Sequence, residues 1–176
     1  ENLSNTKRFY DRGWTGINIE PNPKLIELFK KNRSRDINLN IGIDKESGIL
    51  PFYVMASDAG SSFDKQVAID TGKPYGSETV EVLDIPVLPL ERVFSEHLNG
   101  REIDFMSIDT EGFDLRVLAS NDWKRFRPSL ILVETVFDAK REMHNFLTDK
   151  DYLLVFDNDT NSIYLDQNRI SEICQD

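Results

Sequence analysis

The sequence predicts an α/β fold with a mostly parallel sheet and an antiparallel C-terminal hairpin. Three observations predict it. Strand-like and helix-like stretches alternate along the chain, as parallel βαβ units require. Two stretches, Ile103 to Asp109 and Leu130 to Glu134, are almost continuously apolar up to their terminal acids, the mark of strands buried on both faces. Finally, Tyr152 to Asp157 and Ser162 to Asp166 flank the turn-rich run Asp157 to Asn161, which reads as an edge hairpin.

The elements follow in order. Ser4 to Arg12 reads as a first helix, entered partway. Thr15 to Glu20 is a short strand ending in an acid. Lys24 to Asn32 is a helix with Leu25, Ile26, Leu28 and Phe29 on its apolar face and Pro23 in its first turn. Ile37 to Ile43 alternates apolar and polar residues and reads as one strand. Ile49 to Met55 and Thr79 to Leu88 are rich in Val, Ile and aromatics, which favours extended chain. Between them, Ala56 to Gly76 is rich in Gly, Ser and Asp and is expected to be a long loop, a lid over a site. Leu90, Val93, Phe94, His97 and Leu98 follow helical spacing. A helix carrying Leu115 and Leu118 follows the strand ending at Asp109. Ala139 to Lys150 is a helix with Met143, Phe146 and Leu147 inward, and Arg169 to Cys174 a short last one.

The 176 residues suit one domain, and a 39% hydrophobic, 30% charged composition fits a globular chain. No apolar run approaches the roughly 18 residues of a membrane span. A net charge of -10 repels phosphates, which argues against nucleic acid and anionic membrane surfaces as partners. Cys174 is the single cysteine, so an internal disulfide and a cysteine zinc site are excluded. A reducing, cytoplasmic location is expected. The oligomeric state is not legible.

Ligands of open α/β sheets bind outside the carboxyl ends of the strands, and three strands end there in acids: Glu20, Asp109 and Glu134. A carboxylate after the second strand can accept both hydroxyls of a ribose. Glu20 fits that role, or is a surface acid at a helix start. Asp109 and Glu111 flank Thr110 where a strand meets a helix. They can bind an ammonium, position a substrate hydroxyl or act as a base; alternatively Asp109 or Thr110 caps the helix and Gly112 serves backbone shape. Glu134 carries the same two readings. His97 reads as a packed boundary residue, and His144 as a residue that could point to the cleft. Two isolated histidines make no metal site. An Asp and Glu pair could hold Mg²⁺ only with further oxygen ligands that the sequence does not place, so no metal is expected. None of the nine glycines forms a Gly-x-Gly pair. Such a loop normally precedes the ribose acid by about 20 residues. The first strand and its loop are therefore expected upstream of Glu1, leaving residues 1–176 a single but N-terminally incomplete domain.

The chain resembles the FkbM family of S-adenosylmethionine-dependent methyltransferases. The likeness rests on residues 4–14, on Gly16-Ile17-Asn18-Ile19-Glu20-Pro21-Asn22-Pro23, on Asn40-Ile41-Gly42, on the segment around Leu90, on Ile108-Asp109-Thr110-Glu111-Gly112-Phe113, and on Arg127-Pro128. It implies a class I methyltransferase (Rossmann-like) fold, a seven-stranded sheet with helices on both sides. It also implies S-adenosyl-L-methionine as cofactor. Glu20 would bind its ribose, Asn40 and Ile41 would border the adenine, and Pro21 and Asp109 would complete the cofactor-binding set. Asp109 and Glu111 would face methyl transfer. The implied activity is O-methylation of a hydroxyl on a sugar, glycan or natural product. Two rival readings are an NAD-dependent Rossmann enzyme, in which Glu20 again suits a ribose, and a non-catalytic binding module that keeps the fold.

Overall fold

The computed structural model describes residues 4–56, 60–73, 79–134, 140–158 and 160–170. After helix α1 (Lys7–Asp11), strand β1 (Ile17–Ile19) leads into α2 (Pro23–Asn32), and β2 (Ile37–Leu39) returns parallel to β1. The side chain of Asn22 caps α2 by accepting the Lys24 N–H at 3.0 Å, with Pro23 opening the helix. Ile26 is the buried residue of α2; Leu28, expected on the inner face, is 55% exposed.

The strand expected over Ile37 to Ile43 is two strands. β2 stops at Leu39, and β3 (Gly42–Ile43) pairs instead with β5 (Thr79–Leu88), which is antiparallel to β4 (Gly48–Met55). The break has a physical cause. The Asn40 side-chain amide turns back and donates to the carbonyls of Glu20 and Pro21, at 2.9 and 2.8 Å.

The long loop expected over Ala56 to Gly76 is also corrected in part. Its residues 57–59 and 74–76 lie outside the described residues. Between these stretches, Ser62 bridges to Tyr53 of β4, and Lys65–Gly72 form helix α3. The Asp64 carboxylate caps it by accepting the N–H groups of Gln66 and Val67. A capped helix start can outweigh weak hydrophobic periodicity.

The remainder follows the expected alternation: α4 (Leu90–His97), β6 (Phe105–Ile108), α5 (Asp114–Ala119), β7 (Leu130–Glu134), α6 (Lys140–Thr148), β8 (Tyr152–Asp157) and β9 (Asn161–Asp166). Position 139, expected to begin the last of these helices, is outside the described residues. β6 and β7 are parallel, and the closing hairpin is antiparallel as expected; β9 inserts between β7 and β8, giving the order β6-β7-β9-β8. A 3-10 turn at Gln167–Arg169 follows β9; of the short helix expected over Arg169 to Cys174, residues 171–174 lie outside the described residues.

A single seven-stranded sheet is not formed by the described residues, which make three hydrogen-bonded sheets. No described strand joins β1 to β6. The Phe9 ring packs on Phe105 of β6 at 5.2 Å, and the Asn5 amide donates to Ser107 Oγ at 3.2 Å. The sheets nevertheless share a core: Ile17, Ile19, Leu39 and Ile41 pack against the cluster holding Met106, Ile108, Leu118, Ile131, Val133 and Leu147. Each fully buried side chain of this size contributes about 1.5–3 kcal/mol.

Arg127 and Pro128 anchor the hairpin. The Arg127 guanidinium grips the Asp166 carboxylate with two bonds, at 3.0 and 2.7 Å, and donates to the Lys150 carbonyl. The Tyr152 hydroxyl donates to the Pro128 carbonyl at 2.7 Å. Asp166 is 1% exposed. Its burial works against ionisation, but the bonds from Arg127 and Asn168 together outweigh it and hold the carboxyl below its ordinary range. Removing the cation strands a buried charge. Arg127→Met is therefore expected to cost about 3 kcal/mol in urea unfolding, whereas Lys124→Met, at an exposed site nearby, leaves the midpoint close to unchanged. A lowered folded pKa stabilises above the unfolded value. The contribution of Asp166 is thus lost as pH falls below about 4, and an Arg127→Met chain lacks that acid-sensitive part.

Candidate functional site

The register of β6 and β7 builds the site. Phe105 pairs with Leu130 and Ile108 with Val133, so the next residues, Asp109 and Glu134, emerge side by side at the carboxyl ends of two parallel strands. Glu111 joins them. Carboxylate oxygens of Asp109, Glu111 and Glu134 all lie within 4.8 Å of one another.

A tight turn brings Glu111 back. Glu111 and Gly112 both take positive φ, 50° and 94°. For a residue with a Cβ this conformation is strained. Asp114 holds the turn, accepting the Thr110 N–H at 3.0 Å and the Gly112 N–H at 3.3 Å. The capping role read for Asp109 or Thr110 is therefore corrected. Phe113 precedes α5 without a side-chain cap, and the acid that folds the turn is the buried Asp114. Glycine is required at 112, since a Cβ there would also sit 3.3 Å from Val67 of α3.

Segment 60–72 covers this turn. Ser62 Oγ donates to the Glu111 carbonyl at 2.9 Å. The Phe63 ring lies 5.6 Å from Phe113 and 4.9 Å from Phe52. It also fills the space over Gly42, where a Cβ would fall 2.3 Å from it.

Crowding of like charges sets the proton balance. Burial first, then the charges of Asp109 and Glu111, push Glu134 up to about 8. Its Oε2 is buried and meets no hydrogen-bond partner among the described residues. Glu111 is raised by burial and then by Asp109, against a hydrogen bond from the Gly60 N–H. Asp114 is raised mainly by burial. At neutral pH Glu134 therefore carries a proton beside acids that can accept it. Such an oxygen-rich nest can receive a substrate hydroxyl or an ammonium, and it supplies the third oxygen ligand for a divalent cation that the sequence did not place.

The other candidates stand at the ends of β1 and β2. Glu20 Oε1 accepts the Asn22 N–H at 2.7 Å. Asn40 ties Glu20 and Pro21 to β2, and Ile41 is half-buried against the core. Glu20, Pro21 and Asn40 thus form one group, and Asp109, Glu111 and Glu134 another. His144 is exposed, with its ring 6.1 Å from that of Tyr164, and joins neither; His97 is half-buried at the end of α4. A hollow of about 340 Å³ lined by Lys45, Leu115, Arg116, Ala119, Glu142 and Phe146 includes none of these acids.

Ser62 and Asp114 were missed from sequence. Asp114 had a local signal, an acid two residues after a glycine at a helix start. Ser62 had none, because its partner is 49 residues away.

The family model described as Methyltransferase FkbM domain matches residues 1–154. The chain belongs to the FkbM methyltransferase family. No curated protein and no solved structure matches it. A methyltransferase activity follows from membership, and no helix among the described residues is long and apolar enough to cross a membrane.

Two outcomes follow for this FkbM methyltransferase. A folded-state pKa raised above 4.5 means the native state binds the extra proton, so stability falls as pH rises from about 4.5 toward 8. Glu134→Gln, a mimic of the protonated acid, should flatten the thermal midpoint over that window. Glu111→Gly relieves the positive φ and one crowded charge, and should stabilise the fold by about 1 kcal/mol, read as a higher urea midpoint. An unchanged or lower midpoint would remove strain from the description of this turn.

Proposed function

We propose that the protein methylates a hydroxyl oxygen, on a sugar, glycan or natural product, with S-adenosyl-L-methionine as donor. The observation that carries this reading is the convergence of Asp109, Glu111 and Glu134 at the strand ends of a chain of this family. The side chains fit such a donor: Glu20 offers a carboxylate for a ribose diol beside Pro21 and Asn40, Ile41 an apolar neighbour for a base, and Asp109 an acid for an ammonium. When bound, the donor supplies an electrophilic methyl on a sulfonium.

The chain's own residues do the rest. Asp109 and Glu111 would hold the acceptor hydroxyl and orient its oxygen toward the donor's methyl; most of the rate gain would come from this alignment. With the donor bound, Asp109 or Glu111 would take the hydroxyl proton as the oxygen accepts the methyl, a contribution of about 10²–10⁴-fold. Glu134 already carries its proton and hydrogen-bonds with Asp109, leaving the other two as acceptors. Segment 60–72 excludes water from the pair. The acceptor is a small molecule or glycan, and neither nucleic acid nor a membrane is a partner of so acidic a chain.

The test is calorimetric titration of S-adenosylhomocysteine into the full-length protein. Binding that Glu20→Ala weakens at least tenfold, and that Asp109→Asn with Glu111→Gln weakens less, is the expected result. Tight NAD binding in its place would favour the oxidoreductase reading, and silence toward both by folded protein would sink the proposal.

A further inference from the structure

The covering segment reaches Glu111 twice, with the Gly60 N–H on its carboxylate and the buried Ser62 hydroxyl on its carbonyl. Ser62 is 1% exposed. Its backbone is fixed, its N–H donating to the Tyr53 carbonyl at 3.2 Å and its carbonyl accepting the Tyr53 N–H at 2.9 Å. Its Oγ accepts the Asp64 N–H at 3.0 Å, at the start of α3, and donates to the Glu111 carbonyl at 2.9 Å. One residue thus joins β4 through its backbone, and α3 and the turn after β6 through its hydroxyl.

Glu111 needs a hold from outside its own turn. Asp114 secures the peptides on either side, through Thr110 and Gly112, while the Glu111 carbonyl takes its hydrogen bond from Ser62, outside the turn. Glu111 also sits at φ 50°, a conformation that relaxes unless its surroundings fix it. Its carboxylate lies with those of Asp109 and Glu134, and the charges of Asp109 and Asp114 work against its ionisation there. A hydrogen bond to its carbonyl fixes the peptide plane and with it the direction of the side chain. The rest of the segment is braced: Phe63 is wedged over Gly42, and Val67 packs on Gly112.

We infer that Ser62 is a positioning residue for methyl transfer: it locks the Glu111 backbone so that the Glu111 carboxylate stays in the acidic cluster with Asp109 and Glu134. The inference rests on the reading of Glu111 as an acceptor-side acid. Ser62 itself touches no reacting atom. The acceptor side of the cleft is accordingly set by two distant parts of the chain, the turn after β6 and the segment after β4. Changes around Ser62 alter acceptor handling and leave the Glu20 and Asn40 group untouched.

The test is carbon-13 and nitrogen-15 NMR of the labelled protein and its Ser62→Ala variant, without cofactor or acceptor. The expected result is displaced or broadened carbonyl and Cα resonances for Glu111, while the Thr110 and Asp114 amides keep their wild-type positions because their bond is independent of Ser62. Glu111 resonances at wild-type positions in folded Ser62→Ala protein would overturn the inference. So would movement of Thr110, Glu111 and Asp114 together, which marks a general loosening. Ser62→Cys keeps the volume and gives up the strong donor, and reads the same resonances if the alanine variant does not fold. Failure of both to fold would assign Ser62 to the fold alone and overturn the inference as well. These readings need no ligand, so the clamp can fail while S-adenosylhomocysteine still binds, and the reverse.

Discussion

Two parallel strands that end in register on two acids leave their charges nowhere to go. β6 and β7 are fixed by the apolar pairs from Phe105 and Leu130 to Ile108 and Val133, and the residues that follow are Asp109 and Glu134. A third acid, Glu111, is folded back onto them. Much of the neighbouring structure can be understood as what makes this tolerable: a proton kept on Glu134, an acid at 114 whose oxygens are taken up by turn N–H groups, and a covering segment bonded to the back of Glu111.

Those strands are held rigid at the other end of the domain. β9 lies between β7 and β8. Arg127 binds Asp166 at the end of β9, and Tyr152 binds the Pro128 carbonyl just before β7. Fully buried Ile131, Val133 and Leu147 fill the space beneath. A well-packed scaffold carrying a strained and electrostatically costly site is the usual division of labour in enzymes. Here the site holds one non-glycine residue at positive φ, Glu111, beside groups that would otherwise ionise.

Sequence reasoning reached the scaffold further than the site. Continuous apolar runs identify β6 and β7, because burial on both faces leaves no other pattern, and the turn residues Asp157 to Asn161 identify the hairpin. The acids at 20, 109 and 134 were visible as strand-end residues, and Glu111 as a residue of the junction after Asp109. Which of them meet was not, because pairing register is a property of two segments at once. The helix at Lys65–Gly72 was hidden because the Asp64 cap, Phe63 just before it on Gly42 and Phe113, and Val67 on Gly112 support it more than its own periodicity. Leu28 was misplaced because spacing alone does not say where the apolar face of a surface helix ends. The break at Asn40 was hidden by a side chain that bonds to the neighbouring strand's end.

The central claim is that the two groups of residues at the strand ends, Glu20 with Asn40 and Asp109 with Glu111, serve one ligand. Amide spectra of the protein recorded with and without S-adenosylhomocysteine test it most directly. The account predicts that the amides of residues 20–22, 40–42 and 109–112 shift together along one saturation curve. Shifts confined to one group, or centred on the hollow between Leu115 and Phe146, would contradict it.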